Sequence, residues 1–505
     1  MKIRNIIYLL SLTLLASCFK DETTHATGAI SEISIIEGSV KDVYDIDKNE
    51  TLVITQRVAQ TNKEKKVTFI WEVEQEIHSI APQFIYEGKD LGSYTCRLIV
   101  ENEDGRTFFP FTLNVNSPYE EGITVLSHDE NGKSMLSFML KQREEGVKDF
   151  FVEGDCFALN NPEYQFAEHA VDIVQCRKTL IVACQGNEQT GQPGTIYYLN
   201  AKTLVVENML SAPEYPDFRP YKLIIPENVY AGTAYPILCK NGKVYEFSEF
   251  EGAIAQPTKF KSVYSLSSIL YDSGSSMYNN VYLWESATKN LWMLYNSYGP
   301  YFMSENHLNK VVDEKEATNY IETALNGKDP GDMVFMFLPR TPGKTSPYSD
   351  HIIMVTKKGA MYYRLKVANG YWNYNAEEGE NILSVYDGFK TIGFSTDMTA
   401  TSPYVATTLY GNMYYAKGNT IKRWNYSLDM HLQQAQKHAT VGCADAVITA
   451  MELSPNHEET YVAFYEPNES GMNGHLWVLS TEDGKLLRQY DNICYRPTKV
   501  IYKKR

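Results

Sequence analysis

The sequence predicts an all-β protein, in which a β-sandwich is followed by a β-propeller of about seven blades with a small helical insertion. Three observations predict this fold class. Aromatic residues make up 13% of the 505 residues and include 37 tyrosines, a composition that favours strands. Short alternating polar and apolar stretches fill residues 30–116. A longer unit of strands and turns recurs through residues 117–505.

Residues 1–17 have the layout of an export signal. A basic start precedes the apolar segment Ile6 to Leu15, which is too short to span a bilayer because spanning takes ~20 apolar residues. The segment runs into Leu-Ala-Ser-Cys, which resembles the bacterial lipobox. This resemblance implies that the chain is cut before Cys18 and that the Cys18 thiol carries lipid. An ordinary signal peptide with an incidental cysteine is the alternative.

Residues 18–29 are expected to form an acidic tether. Lys20, Asp21 and Glu22 follow Cys18 closely, and a lysine with two acids in this place resembles the surface-export signal of Bacteroidota lipoproteins. The resemblance implies an outer-membrane protein that is held to lipid by its acylated cysteine and exposed at the cell surface. A merely solvated tether would leave the protein facing the periplasm.

Residues 30–116 are predicted to form an immunoglobulin-like β-sandwich. The stretches "LVITQRV", "VTFIWEV" and "TFFPFTLNV" alternate in polarity between turn residues, which is typical of short strands in such a domain. Trp71 is expected in its core. The stretch "GSYTCRLIVENEDG" resembles the closing strands of a PKD-like domain. Cys96 is the one cysteine in this region, so the inter-sheet disulfide of antibody domains is not expected.

Residues 117–505 are predicted to form the propeller, after a polar junction "NSPYEEG". The opening "ITVLSHDENGKSMLSFML" and six further copies recur roughly every 50 residues, which suits four-stranded blades. The C-terminal "PTKVIYKK" is expected to complete the first blade beside Ile123 to Leu126, which would close the ring and pair two sheet edges. A solenoid or two stacked sandwiches are the alternatives. The six copies begin at "TLIVACQG", "AYPILCKNG", "NNVYLWESA", "HIIMVTKKG", "YVATTLYGN" and "TYVAFYEPN".

Residues 304–326 interrupt the repeat. Their apolar residues recur at spacings of three and four, which predicts an amphipathic helical insertion. The apolar stripe of this helix would pack on its own propeller or contact a partner protein.

Motifs for catalysis, metal binding or cofactor binding are missing from the sequence. It contains no HExxH, GxSxG, Walker or GxGxxG pattern and no CxxC pair. We therefore predict no catalytic residue, no metal site, no cofactor and no enzymatic activity. The net charge of −15 argues against a nucleic-acid partner.

Besides Cys18 there are seven cysteines, an odd number. They are expected to be buried free thiols, with a Cys176–Cys184 pair across a hairpin as the alternative.

Four aromatic residues are candidates for ligand contact. Tyr298, Tyr301, Trp372 and Tyr374 lie beside Gly, Pro or Asn residues, which favours loops or strand ends. Exposed aromatic rings stack on sugar rings and peptide side chains. Burial between blades is the competing interpretation of the same residues.

The order of signal, lipobox, acidic tether, sandwich and repeat domain resembles the PKD-like family lipoproteins of Bacteroidota. That resemblance implies an accessory surface lipoprotein of a SusC/SusD-type TonB-dependent uptake system. Its partners would be a TonB-dependent transporter and a SusD-like lipoprotein. It would bind a glycan or peptide nutrient or scaffold the transporter. A surface propeller enzyme that acts on glycans or peptides and a purely structural partner are the rivals.

Overall fold

The computed structural model describes residues 30–140, 150–152, 154–225, 234–248, 251–272, 279–298, 304–313, 331–342, 351–359, 361–368, 381–383, 397–426 and 435–504. Contacts divide the chain into two compact units, Met1–Ser117 and Pro118–Arg505. The division lies one residue beyond the predicted boundary. The expected signal and the whole of the expected tether lie outside the described residues, and their structure stays a prediction.

Nine strands of the first unit surround one core. Five of them form the sheet β2-β9-β8-β5-β6, and the pairs β3-β7 and β1-β4 complete the unit. The strands are β1 (Ile33–Ile35), β2 (Val43–Asp47), β3 (Thr51–Thr55), β4 (Val58–Gln60), β5 (Thr68–Val73), β6 (Glu76–Ser79), β7 (Gln83–Glu87), β8 (Gly92–Asn102) and β9 (Gly105–Asn116).

Trp71 lies at the centre of this core, as predicted. Its side chain is fully buried, and its ring packs against Phe84 and Phe111 at centroid distances of 5.1 and 6.1 Å. Its indole N–H donates to the Ala81 carbonyl at 3.0 Å, so the one polar atom of the ring is satisfied. The membership of this unit in the immunoglobulin-like or PKD-like class stays a prediction.

The second unit contains seven sheets in chain order within its described residues. Their strands are β10 (Gly122–His128), β11 (Ser134–Leu140), β12 (Phe150–Val152); β13 (Ala170–Cys176), β14 (Thr179–Cys184), β15 (Thr195–Asn200), β16 (Val206–Ser211); β17 (Pro220–Leu223), β18 (Ala234–Cys239), β19 (Val244–Ser248), β20 (Ala253–Ala255); β21 (Ile269–Asp272), β22 (Asn279–Glu285), β23 (Asn290–Tyr298), β24 (Ser304–Asp313); β25 (Asp332–Phe337), β26 (His351–Lys358), β27 (Met361–Ala368); β28 (Asn381–Leu383), which joins β24; β29 (Tyr404–Thr407), β30 (Asn412–Lys417), β31 (Thr420–Asn425), β32 (Gln436–Thr440); and β33 (Val447–Leu453), β34 (Glu459–Tyr465), β35 (Gly474–Ser480), β36 (Leu486–Cys494).

The last strand, β37 (Arg496–Lys503), joins the first sheet beside β10. Its register pairs Ile123 with Tyr502 and Leu126 with Lys499, which confirms the predicted partner of the C-terminal strand. The first sheet is therefore built from both ends of the second unit.

Buried clusters join neighbouring sheets face to face. Alternate residues of one strand point to opposite faces, and in β14 Leu180 and Val182 pack towards the first sheet while Ile181 and Ala183 pack towards the third. Equivalent clusters join sheets three and four, five and six, six and seven, and seven and one. An ion pair between Lys289 and Asp332 spans sheets four and five. The sheets thus form a closed ring, and the predicted all-β, propeller-like architecture is confirmed.

One short helix, α1 (Cys156–Asn160), is described. Asp155 caps its first turn, because its carboxylate accepts hydrogen bonds from the N–H groups of Phe157 and Ala158. Among the described residues no helix has the length and apolar character needed to cross a membrane.

The helix predicted to begin at residue 304 is wrong for its first ten residues. Ser304–Asp313 is the strand β24, paired with β23 from Tyr298↔Ser304 to Trp292↔Lys310. The free edge of β23 offers a row of hydrogen bonds, and tertiary pairing overrides a local pattern of apolar spacing. The remainder of the predicted insertion, 314–326, lies outside the described residues.

The cysteine predictions are confirmed in part. The seven described cysteines are free. Cys176 pairs in register with Thr179, and Cys184 pairs with Thr195, so these two do not face each other. The prediction of burial is wrong for Cys443, which is exposed in a turn, and Cys176 is half-buried.

Candidate functional site

The sequence-predicted site residues fall mostly outside the described part of the chain. Tyr298 is the last residue of β23. Tyr301, Trp372 and Tyr374 lie outside the described residues, and so do Cys18, Lys20, Asp21 and Glu22. The predicted aromatic platform and the predicted lipidation and export signal therefore stay predictions.

A different site arises on the innermost strands of the ring. The strands β37, β13, β17 and β33 contact one another around the ring. All four carry a bulge near their beginning, because the register shifts at Val171 in β13, at Tyr221 in β17, at Thr498 in β37 and at Thr449 in β33. A bulge redirects the side chains beside it. Three of the residues that follow these bulges are charged, namely Asp172, Lys222 and Lys499, and they come from three adjacent sheets.

Asp172 and Lys499 form an ion pair between sheets one and two. The Lys499 ammonium lies 3.3 Å from Asp172 Oδ1, and Asp172 is 3% exposed. The second carboxylate oxygen accepts the N–H of Leu223 at 2.8 Å, which ties it to sheet three. Thr498 donates its hydroxyl to the Ala170 carbonyl at 2.9 Å. The bulges therefore lock the two charges in one geometry.

Lys222 is the second cation of this region. Its ammonium donates to the carbonyl of Ser268 in sheet four. Burial lowers the pKa of Lys222 to about 8, repulsion from Lys499 and Arg340 adds to the shift, and the charge of Asp172 opposes it. Lys222 directly precedes Leu223, whose N–H donates to Asp172, so its backbone lies beside the Asp172–Lys499 pair.

Arg340 and Glu452 extend the group to sheets five and seven. Arg340 follows β25 and bridges to Thr407 of β29, and its guanidinium lies 2.6 Å from Glu452 Oε1 in β33. Arg340 is half exposed, whereas Glu452 is largely covered. We name Asp172, Lys222, Arg340, Glu452 and Lys499 the inner-strand charged cluster.

This cluster carries three cations and two carboxylates, so its formal charge is +1 (3 − 2) in a chain whose net charge is −15. The side chains of Arg340 and Lys499 keep 54% and 34% of their surface exposed. Partly exposed cations on a rigid sheet attract anions and donate charge-assisted hydrogen bonds to them. The arrangement is suited to hold a carboxylate or a similar anionic group.

The sequence analysis missed these five residues, although one signal pointed to two of them. The innermost strands of two sheets, β17 and β37, share a motif: Pro220-Tyr221-Lys222-Leu223 and Pro497-Thr498-Lys499-Val500. A proline, a bulge residue, a lysine and an apolar residue recur at the same structural position. Asp172, Arg340 and Glu452 have no such repeat.

A second group of side chains, which could bind a metal ion, lies in and beside the turn between β34 and β35. Glu466, Glu469 and His475 bring one ligand atom each within 4.8 Å of one another. The sequence analysis predicted no metal site because the spacing Glu-x2-Glu-x5-His matches none of the motifs that it considered.

Comparisons with known proteins identify no family. No family model matches the chain, and no curated protein matches it. A quinonprotein alcohol dehydrogenase-like protein from Bacteroides thetaiotaomicron has 14% identity and a TM-score of 0.47, over 94% of this chain and 100% of that one. A proposed 6-phosphogluconolactonase from Bacteroides uniformis has 11% identity and a TM-score of 0.43, over 76% and 99%. A prolyl endopeptidase structure has 10% identity and a TM-score of 0.37, over 77% and 51%.

One prediction is corrected by these comparisons. The chain was predicted not to be an enzyme, but the proteins that it resembles include a proposed lactonase and a prolyl endopeptidase. The exclusion of enzymatic activity is therefore wrong as an inference from this fold and from missing motifs. At 10–14% identity and TM-scores below 0.5 the likeness carries no activity and no substrate to this chain.

Proposed function

We propose that this protein is a lipid-anchored surface protein whose ring binds a carboxylate-bearing glycan or peptide at the inner-strand charged cluster. The observation that carries this proposal is the placement of three cations around the ring of an otherwise acidic chain: Lys499 on β37, Lys222 on β17 and Arg340 just after β25. These cations attract acidic ligands. The acidic remainder of the surface repels such ligands, which restricts their binding to the cluster.

The anchoring part of the proposal rests on Cys18 and on Lys20, Asp21 and Glu22. Lipid at Cys18 would hold the ring at the outer membrane, and tethering raises the effective concentration of the binding site beside a transporter. A TonB-dependent transporter and a SusD-like lipoprotein are the partners that we propose.

Ligand binding is tested by calorimetric titration of the purified chain. The probes are an oligogalacturonate, a neutral oligosaccharide of equal length and an oligoglutamate peptide. We expect one of the two acidic probes to bind and the neutral probe not to bind, with affinity that falls as salt rises. Lys222→Gln and Lys499→Gln should each weaken binding about tenfold or more, since hydrogen bonds to charged groups contribute about 1.5–3 kcal/mol.

Lys437→Gln is the matched control, because Lys437 is exposed on the outer strand β32. Equal binding of the acidic and neutral sugars would contradict the proposal, and so would unchanged affinity in both cluster variants. The identity of the acidic probe that binds decides between glycan and peptide.

Anchoring and partnership are tested by affinity purification of the tagged chain from solubilised outer membranes, followed by mass spectrometry. We expect co-purification of a TonB-dependent barrel and a SusD-like lipoprotein, and we expect the Cys18→Ser chain to be lost from the membrane fraction. Recovery of the protein alone would contradict the partnership. A Cys18→Ser chain that remained in the membrane would contradict the lipid anchor.

Catalysis at the same cluster is the second candidate function. The pKa of Lys222, lowered to about 8, leaves a fraction of its amine neutral near pH 7–8, and a neutral amine can accept a proton. Product analysis after incubation with each acidic probe tests this. Turnover that Lys222→Met abolishes even at a saturating concentration of the probe would support an enzyme, and binding without product would leave the chain as a binding protein.

A further inference from the structure

The turn between β34 and β35 places three metal-binding side chains in one small region. Glu466 directly follows β34, Glu469 lies in the turn, and His475 is the second residue of β35. Their ligand atoms lie within 4.8 Å of one another. This group lies apart from the inner-strand charged cluster in sequence and in chemistry, and the proposed function makes no use of it.

His475 aims an unsatisfied nitrogen at this group. The residue is 5% exposed, and its Nε2 is buried without a hydrogen-bond partner. The nearest carboxylate oxygen, Glu469 Oε2, is 3.6 Å from Nε2, which exceeds hydrogen-bond length. A buried imidazole nitrogen without a partner is costly unless something binds there.

The other ring nitrogen indicates which tautomer His475 adopts. Its Nδ1 lies 3.2 Å from Asp491 Oδ1 and 3.4 Å from the backbone nitrogen of Asn492. The shorter contact, to the carboxylate, favours the tautomer in which Nδ1–H donates to Asp491 and Nε2 keeps a lone pair. Asp491 is itself held by Trp477 Nε1 at 3.3 Å and by Gln489 Nε2 at 3.0 Å. A carboxylate that orients a histidine in this way is the usual outer shell of a histidine that binds a metal.

The two glutamates are partly fixed and retain free lone pairs. Glu466 Oε1 accepts the N–H of Cys443 at 2.9 Å, and Glu469 Oε2 accepts the side-chain N–H of Asn492 at 3.1 Å. Each carboxylate can accept about four hydrogen bonds or metal contacts. Asn473 closes the turn, because its carbonyl accepts the N–H of Glu466 at 3.0 Å. The donor atoms are therefore organised before any ion arrives.

We propose that Glu466, Glu469 and His475 bind a divalent first-row transition-metal cation, with Zn²⁺ as the best fit. Two ligand atoms at ~2.0–2.1 Å from a tetrahedral zinc lie roughly 3.4 Å apart, close to the 3.6 Å between His475 Nε2 and Glu469 Oε2. An imidazole nitrogen favours zinc over calcium and magnesium, which prefer oxygen ligands. Three protein ligands leave a fourth position for water or a ligand group.

The competing arrangement has no metal. A protonated His475 would then lie between the carboxylates of Asp491 and Glu469 as a simple ion-pair network. The two arrangements differ in whether the full chain binds zinc and in whether Glu469 matters for it.

The test is a titration of the full chain, solubilised in detergent, stripped with EDTA and freed of its tag. ZnCl₂, CoCl₂, CaCl₂ and MgCl₂ are compared by calorimetry and by thermal unfolding. We expect one zinc ion per chain, a raised melting temperature, since an ion that binds the folded state stabilises it, and a visible Co²⁺ absorption band. Glu469→Gln and His475→Gln should each weaken zinc binding at least tenfold and remove that band.

Glu482→Gln is the control, since Glu482 is an exposed acid beyond the far end of β35. It should bind zinc like the unmodified chain. Glu469 is 44% exposed, so the Glu469→Gln chain should fold even if loss of the buried His475 impairs folding. Three results would overturn the proposal: no zinc binding by the unmodified chain, zinc binding unaffected by Glu469→Gln, or preference for Ca²⁺ over Zn²⁺.

Discussion

His457 is a buried histidine that joins two sheets of the ring. It precedes β34, it is 5% exposed, and its Nδ1 lies 2.8 Å from the hydroxyl oxygen of Thr407 at the end of β29. Burial lowers the pKa of His457 to about 4, and the charge of Arg340 adds to the shift. His438 has its pKa lowered to about 4 in the same way, mainly by burial.

These two histidines predict how stability depends on pH. Their pKa values in the folded chain are about 4, and the unfolded value is about 6.5. Between pH 6.5 and 4 the unfolded state binds protons that the folded state does not, so the free energy of unfolding falls as the pH falls through that window. For His457 the loss should be on the order of 2 kcal/mol by pH 4.5.

Urea unfolding at several pH values checks this expectation. His457→Gln should flatten the dependence between pH 6.5 and 4, and the double variant with His438→Gln should flatten it further. An identical slope in the unmodified chain and in His457→Gln would refute the assignment.

At the scale of the element, the central hairpin of a sheet was predictable from the sequence. The strands that pair with the two edges of that hairpin were not. The recurring units of the sequence correspond to strand pairs such as β18–β19 and β26–β27, which are joined by Gly or Asn turns. Turn chemistry and aromatic strands mark such pairs locally. β24 was mistaken for a helix because Leu308, Val311 and Val312 fit spacings of three and four as well as a strand. Residues 304–313 form a strand because they pair with the edge of β23. The local sequence pattern contains no information about that pairing.

The candidate sites were less predictable than the fold. The inner-strand charged cluster draws on five strands or strand ends that are far apart in sequence, and a bulge at Val171, Tyr221 or Thr498 is invisible in a sequence pattern. The group in the β34–β35 turn is local, yet it depends on Asp491 to orient His475. Side chains that are distant in sequence come together here only because the sheets are arranged in a ring.

Removal of β37 is expected to prevent folding of the ring. A chain ending at Tyr495 loses the partner of β10 and the buried side chains Val500 and Ile501, which belong to the clusters on both sides of the first sheet. We expect aggregation or loss of cooperative thermal unfolding, measured by circular dichroism and size-exclusion chromatography. A chain that lacks Arg505 alone is the control and should unfold like the full chain. A chain ending at Tyr495 with an unchanged melting temperature would contradict the closing role of β37.

At the scale of the whole molecule, the chain consists of two units with separate cores. Trp71 and its aromatic neighbours form the core of the first, and clusters between sheets form that of the second. Units that own their cores can fold independently. Two transitions in denaturant are therefore the natural expectation for this chain.

Residues 30–117 expressed alone should fold. Trp71 is the one tryptophan of this stretch, so its blue-shifted fluorescence reports the core directly. Trp71→Phe should destabilise the unit by a few kcal/mol because it loses the hydrogen bond to Ala81 and part of the packing. Tryptophan emission at the wavelength of a solvated indole in native buffer would contradict an independent core.

Because β37 supplies the partner of β10, the ring can close only after residues 496–503 have been synthesised. β10 lies at the beginning of the second unit, and its partner β37 is made from residues more than 350 positions later, Arg496–Lys503. During synthesis, every preceding strand can emerge while the edge of β10 is still unpaired, and pairings between residues so distant in sequence form late. A finished chain hides that edge, whereas a prematurely terminated chain displays it for as long as it exists. Proteases and holding chaperones can therefore distinguish the two by one unpaired strand.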